Sequence, residues 1–514
     1  MRRKTIARYF MCPFLFMAVT VLTNCSKPLP VARPSAFAPQ QRDSLQHFIN
    51  NYYENAGLPG LSVAIVKGDS IFSTAMGHAD SSGKAFTPNT TFMAGSLSEP
   101  LLALAVLQLA DEGKIGLDKP VITYLPYFKM GGDNYQNVTV KHLLTHTSGI
   151  QHYSIMWDNP TFAPNAPETT TRSIAAQQPD FKVPGSRVKR SPYNYDILAD
   201  MICKVTGQPF EKYVQERVLN GIAMRHSSFI KPNNTAQPFV TSNWLSYQTR
   251  QDILYPYNRE NGGSGGLHTS ATDMANWMFT LLNRASVVPG SQLTDKLLAS
   301  AMTMQFNTGK GSGIGFGWDI EQIDRDQVFV KSSKYGGFCT TTILIPGKKI
   351  GVTVASNITD AGMDPLALSR PLAQWLMGKP LVQPKVPVSI LMGKTLAATG
   401  NMADAFAVYR SAQQQADSKF DVSPAALSQF GINLLHRVHD RQKALEAFKF
   451  CVERFPRSAY AHLNLAEGFI FNKDAPNTRK ALAMANSLPD DSGLKARYMA
   501  YLKENLEILE EKKS

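Results

Sequence analysis

The sequence predicts an α/β (α+β) domain followed by an all-α repeat domain. Residues 61–77 read as a hairpin of two apolar, β-branched strands, and residues 340–356 read as two further strands joined by a Pro-Gly turn. Apolar helical stretches lie between them, of which residues 101–110 are the clearest. The later part of the chain shows helical patterns alone. We therefore place the α/β domain at residues 41–378 and the helical domain at residues 385–514.

The first 25 residues read as an export signal. Several arginines and a lysine precede an apolar run from Tyr9 to Leu22, and the run ends in Leu22-Thr23-Asn24-Cys25. This pattern resembles a bacterial lipoprotein signal, which implies cleavage before Cys25 and a lipid on its sulfur. An ordinary secretory signal or a short anchor helix is the alternative, and each also exports the chain. Residues 26–40 are rich in Pro, Ala and Gln, as expected of a tether. We therefore expect a protein of the bacterial cell envelope, lipid-anchored and facing the periplasm or the surface.

Charge and cysteine content restrict the classes of partner. The 514 residues include 53 Lys and Arg against 40 Asp and Glu, which gives a net charge of +13. The basic residues are scattered, so we do not expect nucleic acid as a partner, whereas an anionic envelope surface fits the same charge. The five cysteines show no CxxC pair and no metal-ligand spacing. We expect no disulfide staples, no metal and no cofactor.

A candidate nucleophile lies at the start of the most apolar helix. Gly95-Ser96 ends an extended segment that begins at Thr91, and the leucine-rich helix follows Pro100. A hydroxyl in the first turn of a helix lies beside free backbone N–H groups and the positive end of the helix dipole, which stabilise negative charge on a reacting oxygen. Ser96 is therefore the predicted nucleophile position. The alternative is a simple helix N-cap.

The surrounding motif resembles the serine β-lactamase and D-Ala-D-Ala peptidase family, especially its class C and esterase-like branch. That branch reads G-S-x-x-K, then an apolar helix, then L-x-x-x-G-K. Here residues 95–99 read Gly-Ser-Leu-Ser-Glu, so Glu99 stands at the lysine, while residues 109–114 keep the frame. Residues 138–150, VTVKHLLTHTSGI, resemble a second signature of the family. The resemblance spans residues 41–378 and implies one antiparallel sheet, shared by the first and last strands, with helices on its faces.

Two further family elements are altered. Over residues 184–198 family members resemble PGxxFxYSNxxYxLL, so Arg190 stands at the tyrosine and Pro192 at the asparagine. One wall of the family's cleft is a strand that reads K-T-G or H-x-G. Here it reads Lys331-Ser332-Ser333-Lys334, and Ser333 replaces the glycine that lets substrate lie close. We expect these four wall residues to contribute to binding. The alternative is that Lys331 and Ser332 are ordinary sheet-edge residues.

These replacements determine the predicted function. A serine needs a base that accepts its proton near neutral pH. A carboxylate with a reference pKa near 4.3 is a weaker base than a lysine whose pKa is tuned to about 7, by roughly three pKa units or about 4 kcal/mol. An arginine cannot act as a base. We expect Glu99 and Arg190 to form a salt bridge at the pocket floor, with Lys331 as a candidate third member. The pocket would then bind peptidoglycan fragments, D-amino peptides or esters while hydrolysing them poorly or not at all.

Two alternatives stay open. The first is an active serine hydrolase of esterase, D-amino peptidase or β-lactamase type, with Ser96 as the acyl-enzyme nucleophile and a base from His268 or from a water held by Glu99. The second makes the helical domain the working part, with the α/β domain as a rigid spacer.

Two other patterns have simpler explanations. His142 and His146 are four residues apart, as in a metal pair, but the resemblance implies structural roles for both. Residues 262–266 satisfy the GxSxG pattern of a nucleophile elbow. That motif requires a buried strand immediately before it, and the sequence Tyr-Pro-Tyr-Asn-Arg-Glu is not one, so we treat the match as accidental.

The helical domain carries a repeated pattern. Ala405-x3-Tyr409-x2-Ala412 recurs as Ala444-x3-Phe448-x2-Cys451, and Pro456 and Pro489 follow at close to the period of about 34 residues of tetratricopeptide repeats. An unrelated helical bundle is the alternative. Such stacks present a groove to a peptide, so we expect a protein partner to bind there.

Overall fold

The computed structural model describes residues 29–152, 161–252, 254–415 and 419–511. The predicted signal and its lipidation residue Cys25 lie outside the described residues. Within those ranges no helix combines the length and the apolar character needed to cross a bilayer.

The first domain contains both strands and helices, and helices dominate the second. The strands are β1 (Ser35–Ala36), β2 (Gly60–Lys67), β3 (Ser70–Gly77), β4 (Phe92–Met93), β5 (Phe239–Asn243), β6 (Gln248–Gln251), β7 (His268–Thr269), β8 (Phe306–Gly309), β9 (Ser312–Ile314), β10 (Asp319–Ile323), β11 (Asp326–Tyr335), β12 (Phe338–Ile345), β13 (Ile350–Ser356), β14 (Val386–Pro387) and β15 (Phe420–Asp421). The helices are α1 (Pro39–Ala56), α2 (Ser98–Asp111), α3 (Val140–Leu144), α4 (Ala166–Ser173), α5 (Tyr193–Thr206), α6 (Phe210–Val214), α7 (Gly262–Gly265), α8 (Ala271–Asn283), α9 (Asp295–Ala301), α10 (Ser369–Leu376), α11 (Val388–Thr399), α12 (Met402–Gln414), α13 (Pro424–His436), α14 (Arg441–Arg454), α15 (Ala459–Phe471), α16 (Ala475–Ser487) and α17 (Lys495–Glu511).

In the described parts of the chain, nine strands form one sheet in the order β1-β3-β2-β13-β12-β11-β10-β9-β8. Neighbouring strands are antiparallel except β1 and β3. The register of β2 on β13 runs from Leu61 opposite Ser356 to Lys67 opposite Ile350. The first hairpin and the last strand therefore share the sheet, as predicted.

The sheet separates two apolar cores. Because side chains alternate along a strand, Leu61, Val63 and Ile65 of β2 pack towards α1 and α10, while Ala64 and Val66 pack on the side of α2, α5 and α8. Helix α2 is apolar around its whole circumference and is buried almost throughout, as expected of a helix enclosed by other elements. This burial fixes the start of α2, and the serine before it, against the sheet.

The second domain consists of the consecutive pairs α11–α12, α13–α14 and α15–α16, followed by α17. The first helices α11, α13, α15 and α17 also pack on one another in turn, and the face that they build is called the first-helix face below. His439 and Lys473 occupy equivalent turns with positive φ, and Asp440 and Asp474 beside them cap α14 and α16. The all-α domain is thus confirmed and the turns repeat at about 34 residues, while the tetratricopeptide assignment stays a prediction.

Candidate active site

Ser96 lies in a short 3-10 turn, Gly95–Leu97, that leads directly into α2. The N-cap residues of this turn and of α2 are Ala94 and Leu97, so the N-cap alternative for Ser96 is wrong. The local polar anchor is Ser98, whose hydroxyl donates to Gly95 O at 2.7 Å and accepts from the Leu267 N–H at 2.9 Å. Ser96 is half-buried, and among the described residues its hydroxyl has no hydrogen-bond partner.

The wall strand β11 lies against this turn. Gly95 has φ +55°, and a Cβ at this position would lie 2.1 Å from Ser333 Oγ. Both the left-handed backbone and the close approach require glycine here. The hydroxyl of Ser333 therefore fills the space that a glycine at position 333 would leave open.

Strand alternation divides the four predicted wall residues. Lys331 and Ser333 are buried on the face towards α2, whereas Ser332 and Lys334 point to the opposite face and are exposed. Ser332 Oγ lies 2.6 Å from Thr341 Oγ1, and Lys334 pairs with Asp364 at 3.3 Å. The prediction that all four residues line the cleft is wrong for Ser332 and Lys334, because the side chains of a strand alternate between its two faces.

Glu99 lies one helical turn after Ser96 and is almost fully buried. Its carboxylate forms an ion pair with Lys331, which is equally buried. His146 Nε2 lies 3.1 Å from the same carboxylate oxygen. The residue at the family's lysine position is thus held by the lysine of the wall strand and by a histidine from the 138–150 signature.

The hydrogen bonds of Asn194 fix the tautomer of His146. The Asn194 amide nitrogen donates to Ser191 O at 3.2 Å, and its oxygen accepts from the Ser148 hydroxyl at 2.6 Å. The same amide nitrogen lies 3.0 Å from His146 Nδ1, so Nδ1 is an acceptor and the ring proton sits on Nε2. His146 Nε2 therefore donates its hydrogen bond to the Glu99 carboxylate.

Opposing effects act on the pKa of Glu99. Burial would raise the pKa, because a buried carboxylate loses its hydration. The charge of Lys331, together with His146, prevails and lowers the pKa below its ordinary value. Glu99 is an ionised acceptor of two hydrogen bonds at neutral pH, and no hydrogen bond joins it to Ser96.

Arg190 and Pro192 lie where the sequence places them but do not build the expected cluster. The guanidinium of Arg190 pairs with Asp319 at the start of β10, and about half of its side chain is exposed. The predicted Glu99–Arg190 salt bridge is therefore wrong. An arginine paired at the surface keeps much of its hydration, which a second buried cation beside Lys331 would lose. Pro192 is the N-cap residue of α5, and its carbonyl accepts from the N–H groups of Tyr195 and Asp196.

His268, the other proposed base, does not contact Ser96 by a hydrogen bond. It is fully buried in β7, and its Nδ1 lies 2.9 Å from Gly266 O. Burial lowers the pKa of His268 to about 3. The imidazole stacks on Tyr255 at a ring separation of 5.9 Å. Its environment is that of a packed core side chain.

Two residues of the site were missed from the sequence. Asn194 lies two positions after the lost family asparagine and orients His146. Tyr335 continues the alternation of Lys331 and Ser333 on β11, packs beside Gly95, and accepts a hydrogen bond from Asn261 Nδ2. Because side-chain direction alternates along a strand with a period of two, the sequence spacing of Lys331, Ser333 and Tyr335 already indicated that Tyr335 faces the site.

The histidine pair and the GxSxG match both have structural explanations. His142 Nδ1 accepts from the Thr139 N–H in a capping box, while His146 contacts Glu99, so the two rings do not share a ligand. Residues 262–265 form the helical turn α7 after a 3-10 turn, and the Ser264 N–H donates to the buried Asp196 carboxylate at 2.9 Å. The segment is not a nucleophile elbow.

Comparison with known proteins gives three findings. The family model described as Beta-lactamase matches residues 45–373. Protein flp of Staphylococcus aureus (strain MRSA252) is 28% identical over 325 residues, which cover 62% of this chain and 63% of that protein. The structure of the octameric penicillin-binding protein homologue from Pyrococcus abyssi aligns with a TM-score of 0.55 and 25% identity, over 70% of this chain and 81% of that one. The chain thus matches less than two thirds of the length of the first of these relatives.

Proposed function

The chain belongs to the beta-lactamase family, and from this premise we propose that it is an exported, lipid-anchored member that binds ligand in the serine cleft without efficient hydrolysis. The observation that carries the proposal is the environment of Glu99. A carboxylate at the lysine position accepts hydrogen bonds from Lys331 and His146, and among the described residues no base forms a hydrogen bond with the Ser96 hydroxyl.

The chemistry of acyl transfer explains why this matters. Attack by a serine requires removal of its proton by a group whose pKa lies near the working pH. Glu99 has a lowered pKa, and its carboxylate accepts hydrogen bonds from Lys331 and His146. Lys331 forms an ion pair with Glu99. Loss of acting members of a catalytic unit reduces the rate by about 10⁴- to 10⁶-fold, and the residual rate comes from binding and oxyanion stabilisation.

The charge of the pocket suggests the class of ligand. In the family that the sequence resembles, position 99 carries lysine, and position 331 carries the lysine of K-T-G or the histidine of H-x-G. Here Glu99 neutralises Lys331, so the floor of the cleft has no net charge. A free carboxylate on a ligand meets no unpaired lysine charge at this floor, so it adds little binding energy. Of the expected wall fragments, D-amino peptides and esters, we therefore propose that the neutral esters and amidated peptides bind best.

The test combines covalent labelling with a reversal of the three replacements. Wild type, Ser96→Ala and the triple variant Glu99→Lys, Arg190→Tyr, Pro192→Asn are incubated with a fluorescent penicillin and with a fluorescent fluorophosphonate. We expect no label that depends on Ser96 in the wild type, and Ser96-dependent label in the triple variant. Label on the wild type that disappears in Ser96→Ala would overturn the proposal.

An active serine hydrolase is the second candidate, and one observation favours it. Ser96 is half-exposed with its hydroxyl uncommitted, and Lys331 is retained on the adjacent strand. The Glu99–Lys331 ion pair would have to open, and the Lys331 ammonium group would have to release a proton to solvent, before its amine could accept the serine proton. Turnover of a chromogenic ester that is lost in both Ser96→Ala and Lys331→Met would support this candidate, whereas turnover that survives Ser96→Ala would exclude it.

A further inference from the structure

A hairpin of the first domain reaches onto the helical domain. Strands β5 and β6 form a separate two-stranded sheet outside the nine-stranded one. Their connection, residues 244–247, is called the hairpin tip. It lies on α11 and α13, two of the helices that build the first-helix face. The repeat pattern predicted that the helical domain, residues 385–514, presents a groove to a protein partner, without identifying the face.

The aliphatic part of the tip is built into the helical domain. Leu245 packs against the apolar core of α11 to α14. A Cβ on Gly393 of α11 would lie 2.6 Å from Leu245 O. The helix therefore needs glycine at this position for the backbone of the tip to approach so closely.

The two aromatic residues of the tip are also held. Tyr247 Oη accepts a hydrogen bond of 2.7 Å from Nδ2 of the buried Asn433, and the Gln429 amide nitrogen fixes the Asn433 side chain by donating to its oxygen at 2.9 Å. Burial raises the pKa of Tyr247 to about 12. The guanidinium carbon of Arg437 lies 4.5 Å from the ring centre of Trp244, within the range of a cation–π contact.

The contact has the features of a bound peptide turn. An aromatic ring meets an arginine, an aliphatic side chain enters an apolar core, and a phenol meets a buried amide. A cleft of about 650 Å³ opens beside the tip between the two domains, and its lining includes Trp244, Tyr247, Asn433 and Arg437. A competing peptide could therefore reach the same side chains from solvent.

The other end of the hairpin touches the wall strand. Pro238 immediately precedes β5, and a Cβ on Gly337 would lie 2.5 Å from Pro238 Cβ. Gly337 belongs to the turn between β11 and β12, and β11 carries Lys331 and Ser333 at the serine cleft. Lys334, on the opposite face of β11, lines the interdomain cleft. One hairpin thus contacts both the first-helix face and the strand that forms the wall of the candidate site.

We propose that the hairpin tip is a built-in ligand of the first-helix face at α11 and α13, an autoinhibitory contact that a peptide turn of the same aromatic, aliphatic and tyrosyl chemistry displaces. This inference does not depend on whether Ser96 is active. It restricts binding to the first-helix face, because a partner of that face must either replace the tip or use the α15 to α17 end.

The experiment uses the full chain and a labelled synthetic peptide of residues 239–251. In the tip variant, Trp244, Leu245 and Tyr247 are each replaced by Ser. The matched control replaces the exposed Gln248 and Arg250 of the same hairpin by Ser. We expect fluorescence anisotropy to show peptide binding to the tip variant and none to wild type or control. Adding Asn433→Ala to the tip variant should weaken binding about 3- to 10-fold, the effect of one lost hydrogen bond.

Two outcomes would overturn the proposal: no binding to a tip variant whose circular dichroism matches the control, or equal binding to the tip variant and the wild type. If the tip variant does not fold, the conservative Tyr247→Phe change provides the test. It removes one hydroxyl and leaves the buried Asn433 amide without its acceptor. We then expect amide hydrogen exchange in residues 244–248 to accelerate at least fivefold. Unchanged exchange would contradict the proposal.

Discussion

Replacement of Glu99 by Gln tests the arrangement on which the functional proposal depends. Glutamine has nearly the same shape and keeps an oxygen that accepts the hydrogen bond from His146 Nε2. What the change removes is the negative charge opposite Lys331. The ammonium group then remains buried without a counterion, in a side chain that is 5% exposed.

The expected loss is large. Removing one partner of a buried ion pair destabilises a protein by about 3–5 kcal/mol, because an uncompensated buried charge remains. Typical domains have a free energy of unfolding of about 5–15 kcal/mol, so the substitution removes a substantial part of the stability. At roughly 2 °C per kcal/mol for a domain of this size, Tm should fall by about 6–10 °C.

A double-mutant cycle isolates the pair. Thermal and urea unfolding are measured at pH 7.5 for wild type, Glu99→Gln, Lys331→Met and the double variant. The double variant leaves no buried charge at this place, so it should be more stable than the sum of the single losses predicts by at least about 2 kcal/mol. Asp319→Asn, which breaks the exposed pair with Arg190, serves as the control and should cost at most about 1 kcal/mol.

The reasoning is refuted if Glu99→Gln unfolds within about 0.5 kcal/mol of the wild type, the usual range of surface substitutions. Additive losses in the cycle would contradict it equally, because additivity means that the two side chains do not interact.

Three further predictions follow from the same structure. The pKa of Glu99 is below its ordinary value in the folded protein, so its stabilising effect is complete above the unfolded pKa near 4.3 and disappears as the pH falls through the folded value. The urea midpoints of wild type and Glu99→Gln should therefore converge on acidification below about pH 4. A difference that stays constant would contradict this prediction. Gly95→Ala should lower the free energy of unfolding by more than about 1 kcal/mol, because the residue has φ +55° and its Cβ would meet Ser333 Oγ. Adding Ser333→Gly should restore part of that stability in thermal unfolding, and no recovery would show that the contact is not the cause. Cys25→Ser should move the protein from the membrane to the soluble fraction and abolish incorporation of radiolabelled palmitate, whereas unchanged fractionation would favour an anchor helix.

Much of the fold could be predicted because its signals are local. The hairpin of residues 61–77 shows β-branched residues on either side of a tight turn, and α2 shows an unbroken apolar stretch from Pro100 to Leu107. In the second domain, alanine and aromatic residues recur at helical spacing, and Pro456 and Pro489 follow with close to the period of a helix pair. Each of these patterns reports the conformation of neighbouring residues, which the structure confirms.

The contacts of the candidate site could be predicted only in part. The charges of Glu99, Arg190 and Lys331 were read from the sequence, and complementarity suggested a Glu99–Arg190 pair. In the structure Glu99 forms an ion pair with Lys331, 232 positions away in the sequence, and Arg190 forms one with Asp319, 129 positions away. Charge complementarity allows several partners, and only the positions of the strands select among them.

The sequence by itself determined which residue types occupy the family's catalytic positions: a serine is kept at 96, and the lysine, tyrosine and asparagine are replaced. The tertiary structure decided what those residues do. It placed the Glu99 carboxylate between Lys331 and His146, turned Ser332 and Lys334 away from the cleft, and set the hairpin tip on the helical domain. The physical reason is that local patterns fix backbone conformation, whereas the partner of a charged or aromatic side chain depends on which distant elements the sheet and the apolar cores bring beside it.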